Sequence, residues 1–164
     1  MAGNPLPSEV LEAALDRMPV ARLALRDLED APEALPIVFA RAVGALWSPV
    51  DGKPKGRAGD LGRIARLKRS PEVMLLLDHY SDDWRDLWWL RLRVTAQVVT
   101  GRDAAWAPVE QALASKYPQY RTVPMFKDEP TLLRFAWQAV DWWGSEGLAS
   151  VERWLHAASV PRDS

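Results

Sequence analysis

Apolar residues recur along the chain with two different periods, and these divide it into helices and strands. Val10, Leu11, Ala14, Leu15 and Met18 follow helical spacing. They predict a helix that begins after Pro7-Ser8-Glu9, with Ser8 as its N-cap and Pro19 as its stop. Residues 20–25 alternate weakly and predict a first strand. Residues 27–33, polar and interrupted by Pro32, predict a turn. A second strand is expected over residues 35–40, with Pro36 near its start, where a missing N–H is tolerated. A third is expected over residues 43–50, so the first part of the chain reads as an antiparallel meander.

The character changes between residues 51 and 70. Gly52, Pro54 and Gly56 interrupt any regular element, and Leu61, Ile64, Ala65 and Leu67 then return to helical spacing until Pro71. Residues 72–78 contain Val73-Met74-Leu75-Leu76-Leu77, apolar on both faces, which suits a central strand. After the polar Ser81-Asp82-Asp83, residues 87–99 are long enough to cross a whole sheet. Trp88, Leu90, Leu92 and Val94 would face one side; Trp89, Arg91 and Arg93 would face the other. Residues 104–116 predict a helix with an inner stripe of Trp106, Val109, Ala112 and Leu113, ended by Tyr117-Pro118.

Residues 132–142 fit either period. Alternation groups Leu133, Phe135, Trp137 and Ala139, whereas a helix would group Leu133, Ala136, Trp137 and Val140. Their aromatic content and the following Gly144 favour a strand. A last helix is expected over residues 147–158, burying Val151, Trp154 and Leu155. The resulting order is that of a mainly-β, α+β domain or partly open barrel.

Composition narrows the function classes. A chain of 164 residues fits one domain, and a hydrophobic share of 48% is enough for a packed core. A net charge of -1 argues against a general nucleic-acid binder. No apolar run is long enough to cross a bilayer, and the first eight residues lack the pattern of a signal peptide. With no cysteine there is no disulfide, thiolate nucleophile or thiolate metal site. A cytoplasmic, single-domain protein, with neither membrane nor nucleic acid as partner, is therefore expected. Nine tryptophans serve either to bury area or to stack on a planar ligand.

The segment from Lys53 to Arg69 holds seven basic residues against one acid, Asp60. Lys53, Lys55 and Arg57 fall in a glycine-containing loop before a helix, where free amides and cationic side chains together suit a phosphate. The alternative is a solvated basic face. Asp78-His79-Tyr80 places a histidine between polar neighbours, yet the only other histidine is His156 and no metal-ligand spacing appears. A structural role is the better reading of His79. Neither a G-x-S-x-G elbow nor a G-x-G-x-x-G fingerprint is present.

Taken in order, these strings resemble the pyridoxamine 5'-phosphate oxidase-like flavoproteins. The likeness rests on Val50-Asp51-Gly52-Lys53-Pro54-Lys55, Arg63-Ile64-Ala65-Arg66-Leu67 and Ser70-Pro71-Glu72-Val73. Leu77-Asp78-His79-Tyr80, Leu87-Trp88-Trp89-Leu90-Arg91 and Lys116-Tyr117-Pro118-Gln119-Tyr120 are similar to the deazaflavin-dependent oxidoreductases of that class. The resemblance implies a six-stranded antiparallel split β-barrel with peripheral helices that forms a homodimer. It further implies an oxidoreductase that moves a hydride to or from a small organic substrate with FMN or a deazaflavin coenzyme. Lys53 and Lys55, with Arg57, would hold the cofactor phosphate. The backbone at Pro36, Ile37 and Val38 and at Ser48, Pro49 and Val50 would line the ring, and Trp143 would approach it from the partner. No side chain is expected to act as a catalytic acid or base, and no metal is implied.

Gly52 stands where the family commonly has histidine, Ser70 where asparagine is frequent, and Val94 where glycine is usual. Residues 30–34 lack a Pro-His pair often seen there. These departures motivate a second reading, a non-catalytic protein of the same fold that holds a flavin or haem. A third is an aromatic-rich interaction module without a cofactor.

Overall fold

The structure is a computed structural model that describes residues 5–50, 57–102, 104–126 and 129–157 of the 164. Four helices are present among them: α1 (Ser8–Arg17), α2 (Arg57–Arg69), α3 (Ala107–Lys116) and α4 (Leu148–Ala157). Seven strands form one antiparallel sheet: β1 (Ala21–Arg26), β2 (Pro32–Ile37), β3 (Ala40–Ala42), β4 (Ala45–Pro49), β5 (Glu72–His79), β6 (Trp88–Thr100) and β7 (Thr131–Gly144). None of the described helices is long and apolar enough to cross a membrane.

The hydrogen-bonded order is β2-β1-β5-β6-β7-β4-β3. Strands β2 and β3 thus lie at opposite ends of that order, yet only Val38 and Phe39 join them. Three chain steps reach at most about 11 Å. Six inter-strand gaps in a flat sheet would span about 29 Å. The sheet must therefore curl until its two ends meet, and the result is a barrel. Its interior holds Leu23, Leu75, Leu77, Trp88, Leu90, Leu92, Leu133 and Phe135, all buried, with Leu15 of α1 and Val151 of α4 in the same cluster. A smaller cluster outside it packs α3 through Trp106, Val109 and Leu113 onto Ala40, Trp47 and Leu132.

Strand number is the first correction to the sequence reading: seven strands, not six. The expected strand 35–40 and the expected strand 43–50 are redistributed over β2, β3 and β4. Val43 and Gly44, placed within a strand by their neighbours' hydropathy, form the turn of the β3–β4 hairpin instead. Both have positive φ, 47° and 68°. Two-residue hairpin turns of the right twist require this. Trp47 closes the hairpin by donating Nε1–H to the Ala42 carbonyl at 2.8 Å. The preceding turn is shorter than expected. Asp27 accepts from the Glu29 and Ala31 amides at 2.8 and 2.9 Å, which tightens it and lets β2 begin at Pro32.

Two further details differ. The N-cap of α1 is Pro7, with no side-chain cap hydrogen bond, so Ser8 opens the helix rather than capping it. In β7 the alternation that begins with Leu133, Phe135 and Trp137 does not reach Ala139. Arg93 pairs with Ala139 but Val94 with Trp137, so Gln138 is an extra, bulged residue. Beyond it the faces exchange: Ala139 and Trp143 point outward, while Val140 and Trp142 pack toward the core. The interrupted stretch 51–56 lies outside the described residues.

Val43 is two-thirds exposed, so its side chain gains little from burial, while a β-branched residue is strained at positive φ. Replacing it with asparagine (Val43→Asn) is expected to raise stability by about 1 kcal/mol, measured by urea unfolding. Loss of stability would contradict the turn geometry.

Candidate functional site

The break between β2 and β3 has a cause in the sequence. If the hairpin register Ala42↔Ala45, Arg41↔Leu46, Ala40↔Trp47 continued, Val38 would face Pro49, which has no N–H to donate. The ladder ends before that point. Val38 is left outside both β2 and β3, half-buried, with its N–H and C=O in no hydrogen bond among the described residues. Phe39, by contrast, is fully buried and held from α3's side. Its N–H donates to Tyr117 Oη at 2.9 Å, and that hydroxyl lies 2.8 Å from the carbonyls of both Phe39 and Pro19.

The residue before this tyrosine completes the arrangement. Lys116 Nζ donates to the Leu15 carbonyl near the end of α1 at 2.8 Å and sits 3.8 Å from the centre of the Phe39 ring. Burial pulls the Lys116 ammonium down to about 8, opposed by the Asp16 carboxylate. Burial likewise pushes the Tyr117 phenol up to about 12, opposed by its bond to Phe39. On β3, Arg41 reaches Asp16 at 2.8 Å and Glu12 at 3.2 Å, a second tie from α1 to the same part of the barrel. Sequence reasoning read Lys116-Tyr117-Pro118 only as a helix-ending pattern. The signal that it does more was a basic residue and a hydroxyl placed together at the point where the helix stops.

The expected ring-lining residues fall into one neighbourhood. Pro36 and Ile37 end β2, exposed and buried respectively; Val38 follows in the break. Ser48 and Pro49 end β4, both buried, with Ser48 paired to Leu133. Val50 continues from them, its N–H donating to the Thr131 carbonyl at 3.0 Å. The expected phosphate ligands Lys53 and Lys55 lie outside the described residues. Arg57 is the first residue of α2, and its side chain is also outside them.

Trp143 is elsewhere. It pairs with Trp89, ten residues along β7 from the Leu133 that faces Ser48, or about 30 Å at the rise of a strand. Within one chain it does not join the other expected site residues. It is nearly half exposed on the outward face, beside half-buried Trp89 and the Arg91–Asp141 ion pair at 3.2 Å. Arg91 also stacks over Trp89, 5.2 Å from its ring centre.

The basic helix α2 is tied to its neighbours. Arg66 pairs with Glu33 of β2, and Arg69 donates to the Leu28 carbonyl at 2.5 Å. These contacts hold the helix against the β1–β2 hairpin, so this half of the basic segment is anchorage. Asp78 pairs with Arg22, and His79 packs against Trp88 and Trp154 with ring centres 6.2 and 6.1 Å apart. His79 thus ends β5 within an aromatic cluster. Among the described residues no three histidine, aspartate or glutamate side chains gather to hold a metal.

No family model matches the chain, and no curated protein matches it by sequence. Solved structures do match. The conserved hypothetical protein Rv2991 of Mycobacterium tuberculosis has a TM-score of 0.67 at 15% identity, over 100% of this chain and 94% of that one. The heme storage protein HutZ of Vibrio cholerae gives 0.63 at 15% identity, over 85% and 94%. A candidate pyridoxamine 5'-phosphate oxidase of Listeria innocua gives 0.59 at 15% identity, over 84% and 98%. At such identity these likenesses establish the fold, a split barrel of the pyridoxamine 5'-phosphate oxidase-like kind, and nothing finer.

The two titrating groups at the break give a pH signature. Folded Lys116 releases its proton near 8, whereas an unfolded lysine holds it to about 10.4. Between those values the unfolded chain binds more protons, so stability rises with pH. Tyr117 acts oppositely: unfolded tyrosine ionises near 10 but the folded one only near 12, so stability falls above about 10. Thermal midpoints measured from pH 7 to 11 should therefore rise and then fall. In Lys116→Met the rise should disappear, and its persistence would show that Lys116 is not its source.

Proposed function

We propose that this chain is a subunit of a flavin-dependent oxidoreductase that moves a hydride to or from a small organic substrate, using FMN or a deazaflavin coenzyme. The observation that carries the reading is the break at Val38. A half-buried residue whose N–H and C=O make no hydrogen bond among the described residues stands beside the ends of β2 and β4. In the chain, the end of β4 comes just before the stretch that carries Lys53 and Lys55. One backbone donor and one acceptor next to the buried, apolar Ile37 and Pro49 suit the polar edge of a planar, flavin-like ring. The ring's own chemistry supplies the hydride step once it is bound.

In this reading the chain's residues bind and orient. Lys53 and Lys55, with Arg57, neutralise the phosphate; Pro36, Ile37 and Val38 on one side, and Ser48, Pro49 and Val50 on the other, line the ring. Trp143 reaches a ring only from a second copy, because its own site lies at the far end of β7. A homodimer in which the outward face bearing Trp89 and Trp143 is covered by the partner satisfies that requirement. A second reading, the binding of haem without turnover, draws on the likeness to a heme storage protein.

The absorption spectrum of the purified protein separates the two. Saturable binding of FMN or the deazaflavin coenzyme is expected, while a haem Soret band with no flavin uptake would favour the second reading. Each charge-assisted hydrogen bond contributes about 1.5–3 kcal/mol. Lys55→Ala should thus weaken flavin binding about tenfold to a hundredfold, and the double variant with Lys53→Ala more. Unchanged affinity in the double variant would mean that the phosphate is held elsewhere. Light scattering should give a dimer mass, lowered to a monomer by Trp143→Asp; a monomeric wild type would remove the partner's tryptophan from the site.

A further inference from the structure

Lys116 and Tyr117 hold one residue of the chain from three directions. The Tyr117 hydroxyl takes the Phe39 N–H at 2.9 Å and has a single proton to share between the Phe39 and Pro19 carbonyls, each 2.8 Å away. The Lys116 ammonium lies on the Phe39 ring at 3.8 Å and is itself tied to the Leu15 carbonyl. Phe39 therefore has both its backbone groups and its ring fixed to the end of α3, and through it to α1 and to the link between α1 and β1.

Its neighbour Val38 has no such fixture. Its N–H and C=O make no hydrogen bond among the described residues, and it belongs to neither flanking strand. Its side chain packs against the cluster under α3, while its backbone is positioned by covalent attachment to Phe39 on one side and to Ile37, the last paired residue of β2, on the other. One chain step of about 3.8 Å separates it from the residue that is held. The Val38 C=O shares a planar peptide unit with the Phe39 N–H, so a rotation of that unit turns it directly, and the Val38 N–H follows through the Val38 Cα.

We infer that Lys116 and Tyr117 are positioning residues for the ligand site: from the side remote from the ligand they fix Phe39, and so aim the backbone of Val38 at the ring. The inference rests on the flavin reading above and adds to it residues that touch no ligand. It also gives the Lys116-Tyr117 pair a task beyond ending a helix, since neither bond is needed for α3 to stop at Pro118.

The test compares three variants with the wild type. Tyr117→Phe removes the hydroxyl and keeps the ring; Lys116→Met removes the charge and keeps the length. Ser150→Ala is a control at the opposite end of the barrel, where Ser150 Oγ donates to the Arg85 carbonyl at 2.6 Å and accepts the Glu146 amide at 3.0 Å. For each, the thermal midpoint, the dissociation constant for FMN and the hydrogen-exchange rate of the Phe39 amide are measured. Tyr117→Phe and Ser150→Ala are expected to melt lower. Only Tyr117→Phe and Lys116→Met should weaken FMN binding, by about tenfold and about threefold, and only Tyr117→Phe should expose the Phe39 amide to faster exchange.

If Tyr117→Phe melts lower yet both it and Lys116→Met bind FMN like the wild type, the residues are merely structural and the inference is overturned. Equal weakening in Ser150→Ala would overturn it too, because general loosening would then explain the effect. Should Tyr117→Phe fail to fold, Lys116→Met decides. A wild type that binds no flavin overturns the flavin reading instead. In that case unchanged exchange at Phe39 in Tyr117→Phe would also overturn the clamp, and faster exchange would support it.

Discussion

Val38 and Phe39 join strands that lie at opposite ends of the hydrogen-bonded order, and every other strand has to curve to let them meet. That requirement sets the shape of the molecule. A sheet that curls through seven strands encloses one set of alternating side chains, and Leu23, Leu75, Leu90, Leu92 and Phe135 are buried because they belong to it. It also concentrates the difficulty of closure in two residues, where no ladder can supply hydrogen bonds. One of them, Phe39, is provided for by the Tyr117 hydroxyl. The other finds no hydrogen-bond partner among the described residues, and a half-buried backbone of that kind is where a ligand has something to gain.

Strand β6 was legible because its alternation is strong, whereas β7 fitted either period and was favoured as a strand by its aromatic content. Trp88, Leu90, Leu92 and Val94 do face the core together, and residues 72–79 are central, as a run apolar on both faces requires. The short strands were not. Val43 gives no turn signal, since valine is among the residues least suited to positive φ, and the hairpin is imposed by its surroundings. Nor does hydropathy reveal where an apolar run such as residues 35–40 breaks. That depends on Pro49, whose missing N–H matters only once the hairpin has brought it opposite Val38. The candidate site divides in the same way. Residues near one another in sequence, Pro36 to Val38 and Ser48 to Val50, gather in space. Trp143 does not join them, because a long strand carries it to the other end of the barrel.

The tryptophans sort by neighbour rather than by number. Trp88 lies 4.9 Å from Trp154 ring to ring, edge-on, and fastens α4 over the barrel beside His79. Trp47 and Trp106 serve the smaller cluster under α3. Only Trp84 and Trp143 among the described tryptophans are largely exposed. The turn that carries Trp84 is nonetheless held firmly: Ser150 and Arg153 of α4 both donate to the Arg85 carbonyl, and Arg153 pairs with Asp86 at 2.7 Å. Exposed ion pairs contribute little singly, but here they bracket one short turn from the same helix.

Strand β7 is one residue longer than its partner β6 needs, and the surplus is Gln138. The side chain is not idle, since it donates to Thr95 Oγ1, which in turn donates to Glu72 across β6 and β5. The surplus sets which way the last third of the strand looks: residues of odd number face inward before it and outward after it. Trp143 stays outward because the bulge absorbs Gln138 without shifting the pairing beyond it. A lineage could lose Gln138 and keep every later side chain on its present face, whereas gaining one residue beyond it would bury Asp141 and Trp143 and turn Trp142 out. The length of this strand, more than the identity of any residue in it, decides what the barrel shows to its surroundings.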